Sequence, residues 1–158
     1  MKQIKITPNK LSKSVIIDDD MFEFINRYKW HYNGHYAMRG TRDSDGKSKT
    51  VYMHREVIVA NKGEIVDHIN RNPLDNRKSN LRICNTYQNS MNRSNRSNNT
   101  SGYKGVSWFK RDSNWVSHIR LYGKSMNIGY FSSKISAAKA YDKKAKELFG
   151  EFANLNFK

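Results

Sequence analysis

The sequence predicts an α+β protein made of two small modules with a polar segment between them. Three observations predict it. Short stretches alternate apolar and polar side chains, the mark of half-buried strands, most plainly Trp115-Val-Ser-His-Ile-Arg-Leu121. One longer stretch has the three- and four-residue spacing of a helix packed along one side: Ile135, Ala138, Tyr141, Ala145 and Leu148. Between them in character, residues 92–101 read Asn-Arg-Ser-Asn-Arg-Ser-Asn-Asn-Thr-Ser, with no apolar side chain to offer a core. The expected division is a first domain over 1–91, a linker over 92–101 and a second domain over 102–158.

The first domain is irregular. Val15-Ile-Ile17 predicts a short strand. One of Asp18, Asp19 and Asp20 is placed to cap a short helix holding Phe22, Ile25 and Tyr28. Trp30 to Arg42 and Thr50 to Met53 predict strands around the turn Asp43-Ser-Asp-Gly46. His54 to Ala60 is compatible with helix. Ile65-Val66 ends a strand and leaves Asp67 and His68 adjacent. A polar, Pro-containing loop follows from Asn70 to Asn80, then a second strand, Leu81-Arg-Ile-Cys84, with Cys84 facing the core as a small hydrophobe. Thr86 can cap a helix with Asn89 in its first turn.

The second domain is regular. Aromatic-rich Tyr103 to Phe109, the turn Arg111-Asp-Ser-Asn114, alternating Trp115 to Leu121, the turn at Gly123-Lys124 and Ser125 to Phe131 make a three-strand meander. Trp115, Ser117, Ile119 and Leu121 share one face of its middle strand. Ser132 or Ser133 caps the final helix and Gly150 ends it.

The 158 residues include 29 Lys+Arg against 14 Asp+Glu, a net charge of +15, which points to a polyanionic partner such as DNA, RNA or an acidic membrane surface. The charge is spread: residues 1–60 and 61–101 each carry +4 and residues 102–158 carry +7. A single cysteine, Cys84, excludes an intramolecular disulfide and a four-cysteine zinc site. No apolar run is long enough to span a bilayer, and the N-terminus has no apolar core of a signal peptide, so neither secretion nor membrane insertion is expected.

The chemistry concentrates in Val66-Asp-His-Ile-Asn-Arg-Asn-Pro-Leu-Asp-Asn-Arg-Lys-Ser-Asn-Leu-Arg-Ile-Cys-Asn-Thr-Tyr-Gln-Asn89. Strand, loop, strand and helix would gather Asp67, His68, Asn80 and Asn89. A carboxylate and an amide oxygen are hard ligands suited to Mg²⁺. An adjacent histidine has the pKa to take a proton from water near neutral pH. His31 and His35 read as strand residues or phosphate contacts, and His54 as a packing or phosphate-contacting residue bordering the site.

Over about residues 30–92 the chain resembles the HNH endonucleases of phages and introns, on the Asp67-His68 pair, Leu74-Asp-Asn76, Asn80-Leu-Arg82, Asn89 and the upstream Tyr52-Met-His-Arg55. The resemblance implies the ββα-metal (His-Me finger) fold, with a motif core over 52–92. It implies His68 as general base, Asn80 bracing the loop and orienting His68, and Asp67 with Asn89 holding one divalent metal, Mg²⁺ or Mn²⁺. Asn89 stands where many relatives carry a histidine, which favours these ions over zinc.

Residues 102–157 resemble a second family, the APETALA2/ethylene-responsive-factor DNA-binding domain. The resemblance rests on Tyr103-Lys-Gly-Val106, Trp115, Ile119-Arg120, Ile128-Gly-Tyr-Phe131, Ala137-Ala-Lys-Ala-Tyr-Asp142 and Ala153-Asn-Leu-Asn-Phe157. It implies a three-stranded antiparallel sheet packed on one helix, with Lys104, Ser107, His118, Arg120, Ser125 and Asn127 facing DNA. Lys110, Arg111 and Lys124 at the turns are natural phosphate contacts. Plant domains place arginines or tryptophan where this chain has Ser107, Ser125 and Asn127, so base preference does not transfer.

Together these imply a metal-dependent DNA endonuclease of the homing type. A monomer needing no protein partner would nick double-stranded DNA, in the cytoplasm of a bacterium or phage-infected host. The alternative is a non-catalytic DNA-binding transcriptional regulator with a decayed nuclease domain.

Overall fold

Apolar side chains at every second position pair the first two strands. Strand β1 (Lys2–Ile6) runs antiparallel to β2 (Lys13–Ile17), with Ile4, Ile6, Val15 and Ile17 on the buried side. The computed structural model describes residues 1–6, 13–95 and 97–157; Arg96 of the expected linker lies outside them. The chain divides into two compact units, Met1–Asn85 and Thr86–Lys158.

In the first unit, a 3-10 turn (Asp19–Met21) leads into α1 (Phe22–Asn26), whose Ile25 is buried. The expected cap is absent: neither N-cap makes a side-chain hydrogen bond. The Asp18 carboxylate instead accepts the Lys78 backbone N–H at 2.6 Å. The stretch 30–42, expected to be one strand, is two: β3 (His31–Tyr32) and β4 (Ala37–Arg42). Between them Asn33 Oδ1 accepts the backbone N–H groups of His35 and Tyr36, a side-chain turn that interrupts the ladder. Strand β5 (Ser48–Tyr52) completes a sheet of order β3-β4-β5 and runs directly into α2 (Met53–Val57), which returns to extended backbone at Ile58, earlier than expected. Strands β6 (Ile65–His68) and β7 (Leu81–Cys84) pair antiparallel, with Asp67 opposite Arg82 and His68 opposite Leu81. One core joins these pieces; Trp30, Met53, Val66 and Leu81 meet Ile6, Val15, Ile17 and Ile25 in it.

The second unit begins with α3 (Thr86–Met91). Its Tyr87 ring stacks on Tyr122 at 4.5 Å, and the Tyr87 hydroxyl oxygen accepts the Tyr122 N–H. Strands β8 (Val106–Phe109), β9 (Asn114–Leu121) and β10 (Lys124–Phe131) form an antiparallel sheet of order β10-β9-β8. Helix α4 (Lys134–Phe149) packs on it. Ser133 caps this helix, its Oγ accepting the Ser136 N–H, and Gly150 ends it at φ 53°. Ala137 and Ala138 bury against Val106, and Tyr141 and Ala145 against Ile119; the small alanines let helix and sheet approach closely. Ile135, expected on the packed side, is 48% exposed, and Phe149 is buried at the other end.

The segment expected to be a bare linker is fastened by hydrogen bonds. Asn92 and Ser101 are buried. Asn95 Nδ2 donates to Gly102 O, Asn99 Nδ2 to Tyr103 O, and Asn154 Nδ2 to Arg93 O. A segment without apolar groups contributes nothing to a core, yet its amides can still order it. Among the described residues no helix is long and apolar enough to cross a membrane.

Gly105 sits at the entry to β8 with φ +72°, and a Cβ there would strike the Tyr141 ring and the His118 carbonyl. Gly105→Ala should destabilise the protein by roughly 3 kcal/mol, from left-handed strain and overpacking together. Chemical denaturation of the full chain measures it; a loss under about 0.5 kcal/mol would mean that helix and sheet yield there.

Candidate functional site

The site grows from the β6–β7 pair and the loop it closes. Strand pairing lays Asp67 beside Arg82, which donates Nε (3.1 Å) and Nη2 (2.9 Å) to Asp67 Oδ2. Both side chains are largely buried. A close pair of this kind fixes the carboxylate's direction more than it adds stability.

His68 follows at the end of β6, 6% exposed. The loop then turns back through Arg71, in the left-handed region at φ 64°, whose N–H donates to His68 O. Asn80 closes the loop. Its backbone carbonyl accepts from Ile69 N, its Oδ1 accepts from Asn70 N, and its Nδ2 donates to Asn70 Oδ1 and Asp75 O. At the loop's centre Asp75, 2% exposed, accepts from Arg77 Nε and Nη2 and from Asn70 Nδ2. The Arg77 guanidinium holds the Asp75 carboxyl below the usual carboxylate range. The backbone on either side of Asp75 docks on β2: Ile16 N donates to Leu74 O and Asn76 N to Ile16 O, both at 2.8 Å.

That docking buries Asn76 completely and brings its Oδ1 to 3.1 Å from His68 Nε2. Asn76 Nδ2 faces Pro73 O and the Met53 sulfur, which orients the amide with its oxygen toward the imidazole. His68 is therefore protonated at Nε2, with its lone pair on Nδ1. Burial pulls its pKa below the ordinary imidazole value, opposed by the Asn76 hydrogen bond and the Asp67 charge. It is neutral at neutral pH, the state a proton acceptor requires.

Aromatic rings surround it. The Tyr36 and His54 ring centroids lie 6.1 and 5.2 Å from that of His68, and Tyr52 stacks on His54 at 5.6 Å. His54 is 8% exposed, and its Nδ1 has no hydrogen-bond partner among the described residues. Burial first, then the neighbouring His68 and Arg55 charges, lower its pKa to about 3. His54 thus lies in the His68 surroundings and is neutral; His35 is exposed but its ring meets Tyr36 and its charge also bears on His68, whereas His31 is exposed on β3.

Of the residues proposed from sequence, Asp67, His68 and Asn80 come together in the first unit. The side chain that meets His68 is Asn76; Asn80, expected to orient it, acts one step away through Asn70 and Asp75. The motif contained Leu74-Asp-Asn76, but nothing in spacing alone told which amide lies under the imidazole. Asn89 belongs to α3, in the second unit. There, Ser107, His118, Arg120, Ser125 and Asn127 stand on the sheet face away from α4, since their strand neighbours Val106 and Ile119 pack beneath it. Lys110 and Arg111 lie in a 3-10 turn after β8, and Lys124 opens β10. Lys104, expected to face DNA, donates its ammonium to the carbonyls of Met91 and Arg93 at the end of α3, where a cation is favoured.

Among the described residues no three His, Cys, Asp or Glu side chains gather as a closed metal cage. Asp67 offers a buried hard carboxylate beside His68, a donor of the kind that divalent ions take.

The depressed His54 pKa makes stability acid-sensitive. Between about 3 and about 6.5 the unfolded chain binds a proton that the folded chain refuses, so stability rises with pH across that window and is lost as pH falls through it. Urea midpoints should fall from about pH 7 to about pH 4.5, and His54→Gln should shallow the slope by up to about 1.4 kcal/mol per pH unit. An unchanged slope would assign the acid sensitivity to other groups.

Comparison with known proteins bears on this geometry. A family model described as HNH endonuclease matches residues 52–91, spanning β6, the loop, β7 and α3. The chain is 34% identical over 140 residues to an uncharacterized HNH endonuclease of Acanthamoeba polyphaga mimivirus, covering 87% of this chain and 71% of that protein. It is 37% identical over 92 residues to Protein 3.8 of Escherichia phage T7, covering 58% of this chain and 75% of that one. Over 58 residues, 37% of the chain, it is 40% identical to an AP2-like ethylene-responsive transcription factor of Arabidopsis thaliana, of which it spans 12%. No solved structure matches. With a buried Asp-His pair at the end of a paired strand and similarity to the mimivirus relative over most of both chains, the chain belongs to the HNH endonuclease family.

Proposed function

We propose that the chain is a metal-dependent DNA endonuclease of the homing type that hydrolyses one phosphodiester per encounter, leaving 5′-phosphate and 3′-hydroxyl ends. The observation that carries this is His68: neutral, buried among rings, and held by Asn76 so that Nδ1 is the basic atom. In this reading His68 Nδ1 takes the proton of the attacking water. Asn76 fixes the tautomer and ring angle and stabilises the imidazolium formed. Arg82 holds the Asp67 carboxylate in direction. Asp67 and Asn89 are the residues that would bind Mg²⁺ or Mn²⁺, which supplies charge neutralisation at the phosphate and the leaving oxygen. One such centre per chain makes nicking the expected outcome for a monomer.

The second unit is proposed as the duplex-binding module, an APETALA2-like domain. Its composition supports this, with 13 basic and 4 acidic residues over 86–158. Ser107, His118, Arg120, Ser125 and Asn127 are proposed to meet bases, and Lys110, Arg111 and Lys124 phosphates. A second reading, a non-catalytic DNA-binding regulator, is favoured only by the identity shared with a plant protein named as a transcription factor.

Supercoiled plasmid carrying the gene's own flanking DNA should be converted to the nicked form with Mg²⁺ or Mn²⁺ and left intact with EDTA. His68→Ala should abolish the conversion, losing at least about 100-fold. Retention of wild-type rate would sink the assignment of the base, and binding without nicking would favour the regulator. Asn76→Ala should lower the rate roughly ten- to a hundredfold with little change in DNA affinity; an equal loss in both would make Asn76 a folding residue alone.

A further inference from the structure

The open face of the second unit's sheet has two chemically different halves. One half is polar: Ser107, His118, Arg120, Ser125 and Asn127, with Ser125 opposite Arg120 and Asn127 opposite His118. The other half carries the apolar groups of the face, with Asn114 opposite Phe109 and Ser107 opposite Val116 at its borders. Val116 lies opposite Tyr130, and the Phe109 and Tyr130 rings meet at 5.6 Å across it. Tyr130 is 52% exposed. A sheet face that only touched water or phosphate would have no use for exposed rings in so basic a unit.

Two features decide what these rings suit. Their planes are tilted by 51°, and the Arg111 guanidinium lies 5.2 Å over the Phe109 ring, covering one of its faces. The two rings are not coplanar and one face of Phe109 is taken, so together they do not make the flat platform on which single-strand binders stack successive bases. The half-exposed Tyr130 and its neighbour Phe109 offer apolar surface beside the Arg111 cation. The major groove of duplex DNA offers one apolar group at its base edges, the C5-methyl of thymine. Positive charge draws the sheet to a duplex, the polar half suits the donors and acceptors of base edges, and the apolar half suits methyls.

We propose that Phe109 and Tyr130 read thymine methyl groups in the major groove, so that the recognised site carries thymines at the end lying against the β8–β9 turn. This rests on the duplex-binding reading of the second unit. It makes Phe109 and Tyr130 specificity-determining residues beyond those of the polar half.

The test uses the full chain in EDTA. A randomised duplex library is selected for binding, and the winning duplex is remade with deoxyuridine in place of thymidine. Wild type should bind the uracil duplex more weakly by roughly fourfold for each methyl lost from the contact. The double variant Phe109→Ala, Tyr130→Ala should bind both duplexes equally. Phe109→Leu, which keeps an apolar side chain, should retain the preference, guarding against a variant that has merely misfolded. Equal wild-type affinity for the two duplexes overturns the proposal and leaves duplex binding standing. Tighter binding to the single strand than to the duplex overturns it in favour of stacking. Failure to select any duplex overturns both this proposal and the reading beneath it.

Discussion

The Asp75 carboxylate is buried in a loop that otherwise has few reasons to hold one shape. Left unpaired it would cost several kcal/mol, so it gathers its neighbours: the Arg77 guanidinium from one side and the Asn70 amide from another. Asn80 then bonds both Asn70 and the Asp75 carbonyl, and the backbone beside Asp75 docks on β2. Only with that in place does Asn76 lie under His68. The ionic group sits two steps from the histidine, yet the histidine's tautomer depends on it. Networks of this sort are worth having only when every member is satisfied, and this one is.

The chain's regular parts were legible because local pattern and packing agree in them. In β9, Trp115, Ser117, Ile119 and Leu121 alternate with Val116, His118 and Arg120 and do face the helix; Ser133 and Gly150 bound α4 by ordinary capping chemistry. Strand β1 was not legible. Only Ile4 and Ile6 in Lys2–Ile6 are apolar, and its identity as a strand comes from β2, a partner the local pattern does not display. The break between β3 and β4 was hidden for a similar reason: alternation suggested one strand, while the Asn33 side chain imposed a turn.

In the site, residue types and spacing marked Asp67, His68 and Asn80, and strand register explains why they meet. Spacing could not rank amides. A loop with Asn70, Asn72, Asn76 and Asn80 offers several candidates for the imidazole, and the choice of Asn76 is made by the Ile16–Asn76 backbone bond, a contact between residues sixty apart. His54 was underestimated for the complementary reason. Its neighbours in the chain say helix, whereas two of its ring neighbours are distant in sequence, Tyr36 from the turn before β4 and His68 from the end of β6.

The fastening of residues 92–95 and 97–101 has a thermodynamic consequence. Exposure of apolar surface raises the heat capacity on unfolding, whereas exposure of amide and hydroxyl groups lowers it. Opening the bonds from Asn95, Asn99, Asn154 and Lys104 therefore adds no positive heat-capacity step of the kind that separating α4 from its sheet would add. They also strengthen on cooling relative to the apolar packing of α4 on its sheet. Warming and cooling thus act differently on the bonds that hold the segment and on the apolar packing of the domain it is tied to.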